Sequence, residues 1–286
     1  MLTRVDRIQV VVAERRSAAT AFARLLDAEL VREDRVRVLG AQRTVLRLGA
    51  SEVELLAPDG SGIVADYLAQ TKGGLFAAGF ATHEFDRLRR HLEHRTTDIG
   101  VEGTQLFLSP TALGVAGLRA VISPDTTSAP HGNVRSLYEV TLLVQDVAAA
   151  VEQTAATFAL DRSHFVPIRS AEFGYEGTLT LFHPDRLDRI EIITPTDAGK
   201  TMGRFFAKRG PALYMCYAEA DDLTVIRTRL LAHARNDWTG ARDARAPTNL
   251  FIHPRALGGI MLGISYTTVA WTWSGHPERV VGPRET

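Results

Sequence analysis

The chain has one cysteine, Cys216. An internal disulfide is excluded, and so is a zinc cluster built on cysteines. Cys216 sits inside the apolar run Ala212–Tyr217, so it reads as an inert buried thiol rather than a nucleophile. Net charge is lacking too: 33 Lys+Arg balance 33 Asp+Glu. The arginines are scattered, which removes the basic stripe of a nucleic-acid binder and the polybasic patch of a membrane-surface protein. The N-terminal apolar run, "IQVVVA", is far too short for a signal h-region or a membrane span, so a cytoplasmic protein is expected. There is no P-loop, no dinucleotide glycine fingerprint and no G-x-S-x-G elbow.

What is present is repetition. With 286 residues, 45% hydrophobic and 23% charged, the chain is long enough for two soluble globular domains. "DRIQVVVAERRSAATAFARLL" reads as a strand followed by a helix, and "YEVTLLVQDVAAAVEQTAATF" has the same shape in the second half. "GGLFAAGFATHEFDRLRRHL" and "GPALYMCYAEADDLTVIRTRLL" repeat it, the last with Asp221 or Asp222 as helix cap. The unit endings match as well: "VELLAPD" with "IEIITPTD", and "FLSPTALGVAGLRAVI" with "FIHPRALGGIMLGISY". The pattern predicts an α+β protein of four βαβββ modules, paired into two open barrel or cup domains. The expected division is 1–125, a Pro/Gly/Ser-rich linker at 126–135, and 136–286. "GSGIVADYLAQTKGG" and "DAGKTMGRFFAKRG" join the modules within each half, each with a short helix expected.

This layout resembles the vicinal oxygen chelate superfamily, which includes glyoxalase I, extradiol dioxygenases, methylmalonyl-CoA epimerase and bleomycin-resistance proteins. "FFAKRGPALYMCYAEADDL" is similar to the epimerase run that leads into a His-His strand, and "FIHPRALGGIMLGI" to the closing strand. The resemblance implies a divalent metal in each cup, held by a His on each opening strand and a Glu or Gln on each closing strand, with places left for substrate oxygens. The slots carried over in the first half are Arg7, Glu54, Ala77 and, by gapless matching, Arg119. In the second half they are Glu139, Glu191, Met215 and Gly263. Arginine cannot ligate a cation, Ala and Gly offer no donor, and Met suits no hard metal. No metal and no other cofactor is therefore expected at the family position.

The remaining residues suggest other uses. Arg7, Glu54 and Arg119, with Gln9 on the same strand face, are either an internal ion network or a clamp for an anionic substrate. Glu139 and Glu191 face one another in the second cup, with Thr141 and Tyr217 beside them. Two close carboxylates in an apolar cup push one pKa up, which suits a general acid/base, and Tyr217 can serve a developing enolate oxygen. The alternative is that one Glu faces solvent at the mouth of the sheet. Met215 and His253 complete the substrate-binding candidates. His183 and His253 each precede a proline and read as rim residues, or as a displaced metal site with Glu191. The expected function is a metal-independent isomerase or lyase acting by proton transfer on a small carbonyl or acyl compound, with Glu139, Glu191 and Tyr217 as catalytic residues. A non-catalytic small-molecule binder and a dioxygenase-like metalloenzyme with relocated ligands are the alternatives. The partner is a small molecule, not nucleic acid or membrane, and a homodimer is compatible with this reading.

Overall fold

The computed structural model describes residues 1–126, 129–240 and 247–281. Module one runs β1 (Arg4–Val11), α1 (Arg15–Leu26), β2 (Glu29–Val36), β3 (Ala41–Leu48) and β4 (Ser51–Pro58). After α2 (Ile63–Thr71), module two adds β5 (Gly74–Thr82), α3 (Phe85–Glu93), β6 (Ile99–Glu102), β7 (Gln105–Leu108), α4 (Pro110–Leu113) and β8 (Ala120–Pro124). Module three is β9 (Ser136–Leu143), α5 (Val147–Phe158), β10 (Phe165–Ser170), β11 (Tyr175–Leu181) and β12 (Arg189–Pro195). After α6 (Thr201–Arg209), module four is β13 (Ala212–Ala220), α7 (Leu223–His233), β14 (Trp238–Gly240), β15 (Asn249–Ile252) and β16 (Met261–Tyr266). The expected linker lies between β8 and β9; its residues 127 and 128 fall outside the described residues, as do 282–286 of the second half.

The strands form two eight-stranded sheets, β2-β3-β4-β1-β5-β8-β7-β6 and β10-β11-β12-β9-β13-β16-β15-β14. The orders are the same, position for position, as the duplicated sequence requires. The first helices of modules three and four are fixed by local chemistry. Asp146 caps α5 by accepting from the Ala149 N–H at 3.0 Å, and Asp222 caps α7 by accepting from the Thr224 N–H at 2.7 Å. No helix among the described residues is long and apolar enough to cross a membrane.

Each half carries two bulges in its central antiparallel pair. The β1–β5 register shifts between Val5 and Arg7 and between Gln9 and Val10. The β13–β9 register shifts between Leu213 and Met215 and between Tyr217 and Ala218. A bulge inserts a residue that alternation does not count. Asp6 and Phe76 are the extra residues in the first half, Tyr138 and Tyr214 in the second. Asp6 and Tyr138 consequently join the same side-chain clusters as Arg7 and Arg189.

The halves meet along β1 and β9. The Phe80 ring packs edge-on against Phe158 at 5.7 Å and Phe182 at 5.6 Å, joining the halves in one apolar core. Beside them, Val5 N–H donates to Asp188 Oδ1 at 2.8 Å, and Leu137 N–H donates to Ser51 Oγ at 3.0 Å. These are equivalent places in the two halves, since Arg7 corresponds to Glu139 and Glu52 to Arg189 in the parallel registers. Burial pushes Asp188 up to about 6, against the pull of Arg186 and the Val5 N–H. Truncating this buried acceptor strands the Val5 N–H, which costs about 1–3 kcal/mol. Asp188→Ala is expected to lower the unfolding free energy in a urea titration by that amount. Asp188→Asn, which keeps an acceptor, is expected to lose less.

Candidate functional site

The strand registers lay the inner face of each sheet out in rows. In the second half one row is Leu181, Arg189, Glu139, Tyr217, Gly263 and Phe251. The row beside it is Leu179, Glu191, Thr141, Met215 and Met261. In the first half the matching rows are Arg47, Glu52, Arg7, Gly79, Val121 and Phe107, and then Val45, Glu54, Gln9 and Ala77. Phe107 pairs with Val121 as Phe251 pairs with Gly263, so Val121 holds the closing position of module two. Gapless matching of the sequence puts Arg119 there instead. The connection from β7 to β8 is longer by two residues between these paired positions than that from β15 to β16, and this moves Arg119 two places out along the same face.

The first cup is electrostatically closed. Arg7 donates to Glu54 Oε1 at 2.8 Å, Glu52 Oε2 at 3.0 Å, Asp6 Oδ2 at 2.7 Å and Ser123 Oγ at 3.1 Å. Glu54 also accepts from Gln9 at 2.7 Å, Gln105 at 3.1 Å and Arg43 at 3.2 Å. Burial pushes the Glu54 carboxyl up, but Arg7 and Arg43 outweigh it and hold it at about 2. Glu54 is thus a permanent anion with its lone pairs spent. The guanidinium opposite Arg7 is Arg43, not Arg119. Gly79 makes room: a Cβ there falls 1.8 Å from Arg7 Cγ.

The second cup inverts the charges. Where Arg7 and Glu52 pair in the first half, Glu139 and Arg189 pair in the second, with Arg189 Nε donating to Glu139 Oε2 at 2.6 Å. Arg189 is fully buried, lies 5.1 Å from the Tyr138 ring centroid, and donates to Ser274 Oγ at 2.9 Å. Its Nη2 is buried and has no hydrogen-bond partner. The Ser274 segment is a 3₁₀ helix, Val269–Trp273, followed by a turn at Ser274 and Gly275. Its Ala270 and Trp271 pack on Tyr138, Leu179, Leu181 and Leu187. Neither carboxyl faces solvent at the mouth: Glu139 is 1% and Glu191 5% exposed.

Glu191 differs from its first-half counterpart Glu54 because no cation among the described residues hydrogen-bonds to it. Among those residues its one hydrogen bond is from Thr141 Oγ1 to Oε2 at 2.6 Å. Burial, then the charge of Glu139, push its pKa up to about 8. Burial also pushes Glu139 up, while Arg189 pulls it back. Of the two, Glu191 is the carboxyl that holds the proton at neutral pH. Tyr217 is the Cα partner of Glu139, and its ring covers Gly263, where a Cβ falls 2.3 Å from the ring. Burial and then Glu139 push the Tyr217 hydroxyl up. The structure thus gathers Glu139, Glu191, Thr141, Tyr217 and Met215 on one inner face. His253 lies apart, at the end of β15, with its Nε2 3.2 Å from Thr239 Oγ1. His183 accepts from the Asp185 N–H at 3.1 Å.

The donor sets do not fit the metal that such a fold implies. In the first half Arg7 occupies the first slot and bonds to Glu54 in the second. In the second half Glu139 is taken by Arg189, and Gly263 is covered by Tyr217. Among the described residues, no group of three or more His, Cys, Asp or Glu side chains is placed to hold a metal ion, so His183, His253 and Glu191 do not form a displaced centre. Cys216 is buried, and burial pushes its thiol up, so it carries no thiolate chemistry at neutral pH.

Two consequences can be measured. Glu54→Gln removes the anion that two buried guanidiniums share, leaving Arg7 to Asp6 and Glu52 and Arg43 to Asp34, and is expected to cost about 1–3 kcal/mol in a denaturant titration. Glu191 behaves oppositely. Its folded pKa lies above its unfolded value, so the folded protein binds the extra proton between the unfolded pKa and about 8. Its contribution to stability is complete in acid and is lost as pH rises through about 8. Wild-type stability is therefore expected to fall more steeply than that of Glu191→Gln as pH rises through this window. The difference is about 1.4 kcal/mol for every tenfold by which folding tightens the hold on that proton.

No family model and no curated sequence matches the chain. Solved structures do. A variant of 4-hydroxymandelate synthase from Streptomyces coelicolor superposes with a TM-score of 0.66 at 14% identity, covering 93% of each chain. A xylose isomerase-like TIM barrel/4-hydroxyphenylpyruvate dioxygenase fusion protein gives 0.60 at 11% identity, over 93% of this chain and 49% of that one. Methylmalonyl-CoA epimerase from Mycobacterium tuberculosis aligns at 22% identity with 46% of this chain and 88% of its own, at a TM-score of 0.38. The two whole-chain matches, together with the paired eight-stranded sheets, establish that this chain has the duplicated vicinal oxygen chelate fold.

Proposed function

We propose that the protein is a proton-transfer enzyme, an isomerase or lyase for a small carbonyl or acyl compound, and that its reaction runs in the second cup without a metal. The observation that carries this reading is Glu191: a buried carboxyl bonded, among the described residues, only by Thr141, with a pKa pushed up to about 8, on one inner face with Tyr217. A group titrating near neutrality is present in both forms, as a general acid/base requires. The superposed structures support the fold alone, and the chemistry rests on the residues.

In this reading the substrate carbonyl sits toward Tyr217. The Glu191 carboxylate takes the proton from the carbon beside the carbonyl, and the electron pair moves onto the carbonyl oxygen. The Tyr217 hydroxyl, which no described side chain engages, donates to that oxygen as charge develops. Returning the proton from Glu191 to the same or a neighbouring carbon completes an isomerisation. Loss of a group from the next carbon completes an elimination. Arg189 acts on Glu139 rather than on substrate: it keeps that carboxylate charged, and the charge holds the Glu191 proton affinity high.

The direct test is exchange of carbon-bound hydrogen for deuterium, followed by NMR over a set of acyl thioesters and 2-oxo acids. Glu191→Gln is expected to slow exchange about 100- to 10,000-fold while the circular dichroism spectrum stays native. Tyr217→Phe is expected to slow it by about ten- to a hundredfold. In the wild type the rate is expected to rise with pH to a plateau above about 8, because the base acts unprotonated. Exchange that survives intact in Glu191→Gln, or no exchange with any compound of the set, overturns the reading.

A further inference from the structure

Glu191 and Tyr217 leave a second phenol on the same inner face unused. Tyr175 opens β11, four residues before Leu179, the Cα partner of Glu191. Two-residue alternation puts both on the inner face. Gly177 lies between them and places no side chain between the phenol and Glu191. Tyr175 is half-buried, and no described group hydrogen-bonds to its hydroxyl. The hairpin that carries it bends across the mouth of the cup. Phe173, in its turn, has its ring centroid 6.5 Å from that of Phe251, and Phe251 lies 5.9 Å from Tyr217. On the same wall Ile168, the partner of Gly177, packs on the apolar cluster that Tyr217 also joins. Tyr175 and Tyr217 thus stand on β11 and β13, with Glu191 on β12 between them. Burial, then Glu191 and Glu139, push the Tyr175 hydroxyl up, so it holds its proton at neutral pH.

From this arrangement we infer that Tyr175 is a catalytic acid of the second cup, and that the substrate is a 3-hydroxy carbonyl compound, which the enzyme dehydrates. The inference rests on the proton-transfer reading above and selects its elimination branch. In such a compound the carbon that gives its proton to Glu191 is flanked by two oxygens, the carbonyl on one side and the hydroxyl on the other. Tyr217 serves the carbonyl, and a second donor on the facing wall meets the second oxygen. Glu191 takes the proton from carbon 2. The electron pair left there forms the double bond to carbon 3 as the bond from carbon 3 to its oxygen breaks. The Tyr175 proton passes to the departing oxygen, which leaves as water. The Tyr175 phenolate is reprotonated by solvent, Glu191 releases its proton, and the product is the 2,3-unsaturated carbonyl compound. Hydroxide leaves poorly without a proton, which is what an acid at this place supplies. Phe173, 48% exposed, and Phe251 make the rim aromatic, which favours an aryl group on carbon 3.

The test uses the whole chain and two probes, the N-acetylcysteamine thioesters of 3-hydroxy-3-phenylpropanoate and of its 3-acetoxy analogue. Formation of the unsaturated thioester is followed by absorbance, and hydrogen exchange at carbon 2 by NMR. Acetate, unlike hydroxide, leaves without a proton. Tyr175→Phe is therefore expected to slow loss of water about a hundredfold or more, and loss of acetate less than about tenfold. Glu191→Gln is expected to slow both. The Tyr175 hydroxyl bonds to nothing in the described fold, so the variant is expected to keep a native circular dichroism spectrum. The inference is overturned if the wild type exchanges carbon 2 of the hydroxy thioester without forming the unsaturated product. It is also overturned if folded Tyr175→Phe dehydrates as the wild type does, or if it slows loss of water and of acetate alike, as a structural role would. Failure of the underlying reading shows differently: exchange at carbon 2 is then absent from the wild type, or survives in Glu191→Gln, and the inference falls with it.

Discussion

A guanidinium cannot be buried without its anion, and this requirement organises both cups. The penalty of removing a lone ion from water is several kcal/mol, far more than one hydrogen bond returns. Each half answers with a cross-strand pair at the same place on the sheet, Arg7 with Glu52 and Glu139 with Arg189, in opposite order. The inversion has unequal results. In the first half the arginine reaches on to Glu54 and, with Arg43, fixes it as an anion. In the second half the arginine is turned to Glu139, Ser274 and the Tyr138 ring, and among the described residues Glu191 is left with a hydroxyl for company. One duplicated scaffold therefore contains a carboxylate that cannot take a proton and another that readily does.

The same pairing engages two of the carboxylates that could ligate a metal: Arg7 holds Glu54 and Arg189 holds Glu139. Placing a guanidinium where an imidazole belongs fills the centre of the cup with positive charge, and the surrounding acids turn toward it. Glycine at Gly79 and Gly263 then serves packing: one admits the Arg7 stem and the other the Tyr217 ring. Ala77, the third small residue on these inner faces, lines a cavity beside Gln9.

Much of this is legible in the sequence, because the strand and helix periods repeat four times and the unit endings are near copies. The modules, the Asp222 cap as one of two candidates, the joining helices and the strands that carry Arg7, Glu54, Glu139 and Glu191 follow from that pattern. What stays hidden has two physical causes. Bulges break the two-residue alternation, so Asp6 and Tyr138 reach the cup clusters although their neighbours already do. Loop length shifts register, so Val121 rather than Arg119 closes module two. Arg43, Gln105 and Arg189 escape for a further reason. They lie on strands that carry no family slot, or two places before one, and only the cross-strand partner shows what they neutralise. Counting charges of one sign against the other on each inner face is a signal that can find Arg43 and Arg189, though not the neutral Gln105.

The hydrogen bond from Arg189 to Ser274 ties the heart of the second cup to a segment 85 residues further along. During synthesis, the first cup has all its inner-face residues once β8 has left the ribosome. The second must leave the Arg189–Ser274 hydrogen bond unmade until the Ser274 turn emerges, after every strand of its sheet has been made. The two halves therefore mature on different schedules. A nascent chain passes through a stage with every strand of both sheets made and the buried guanidinium of the second cup still lacking one hydrogen bond, a stage more exposed to chaperones and proteases than the finished fold.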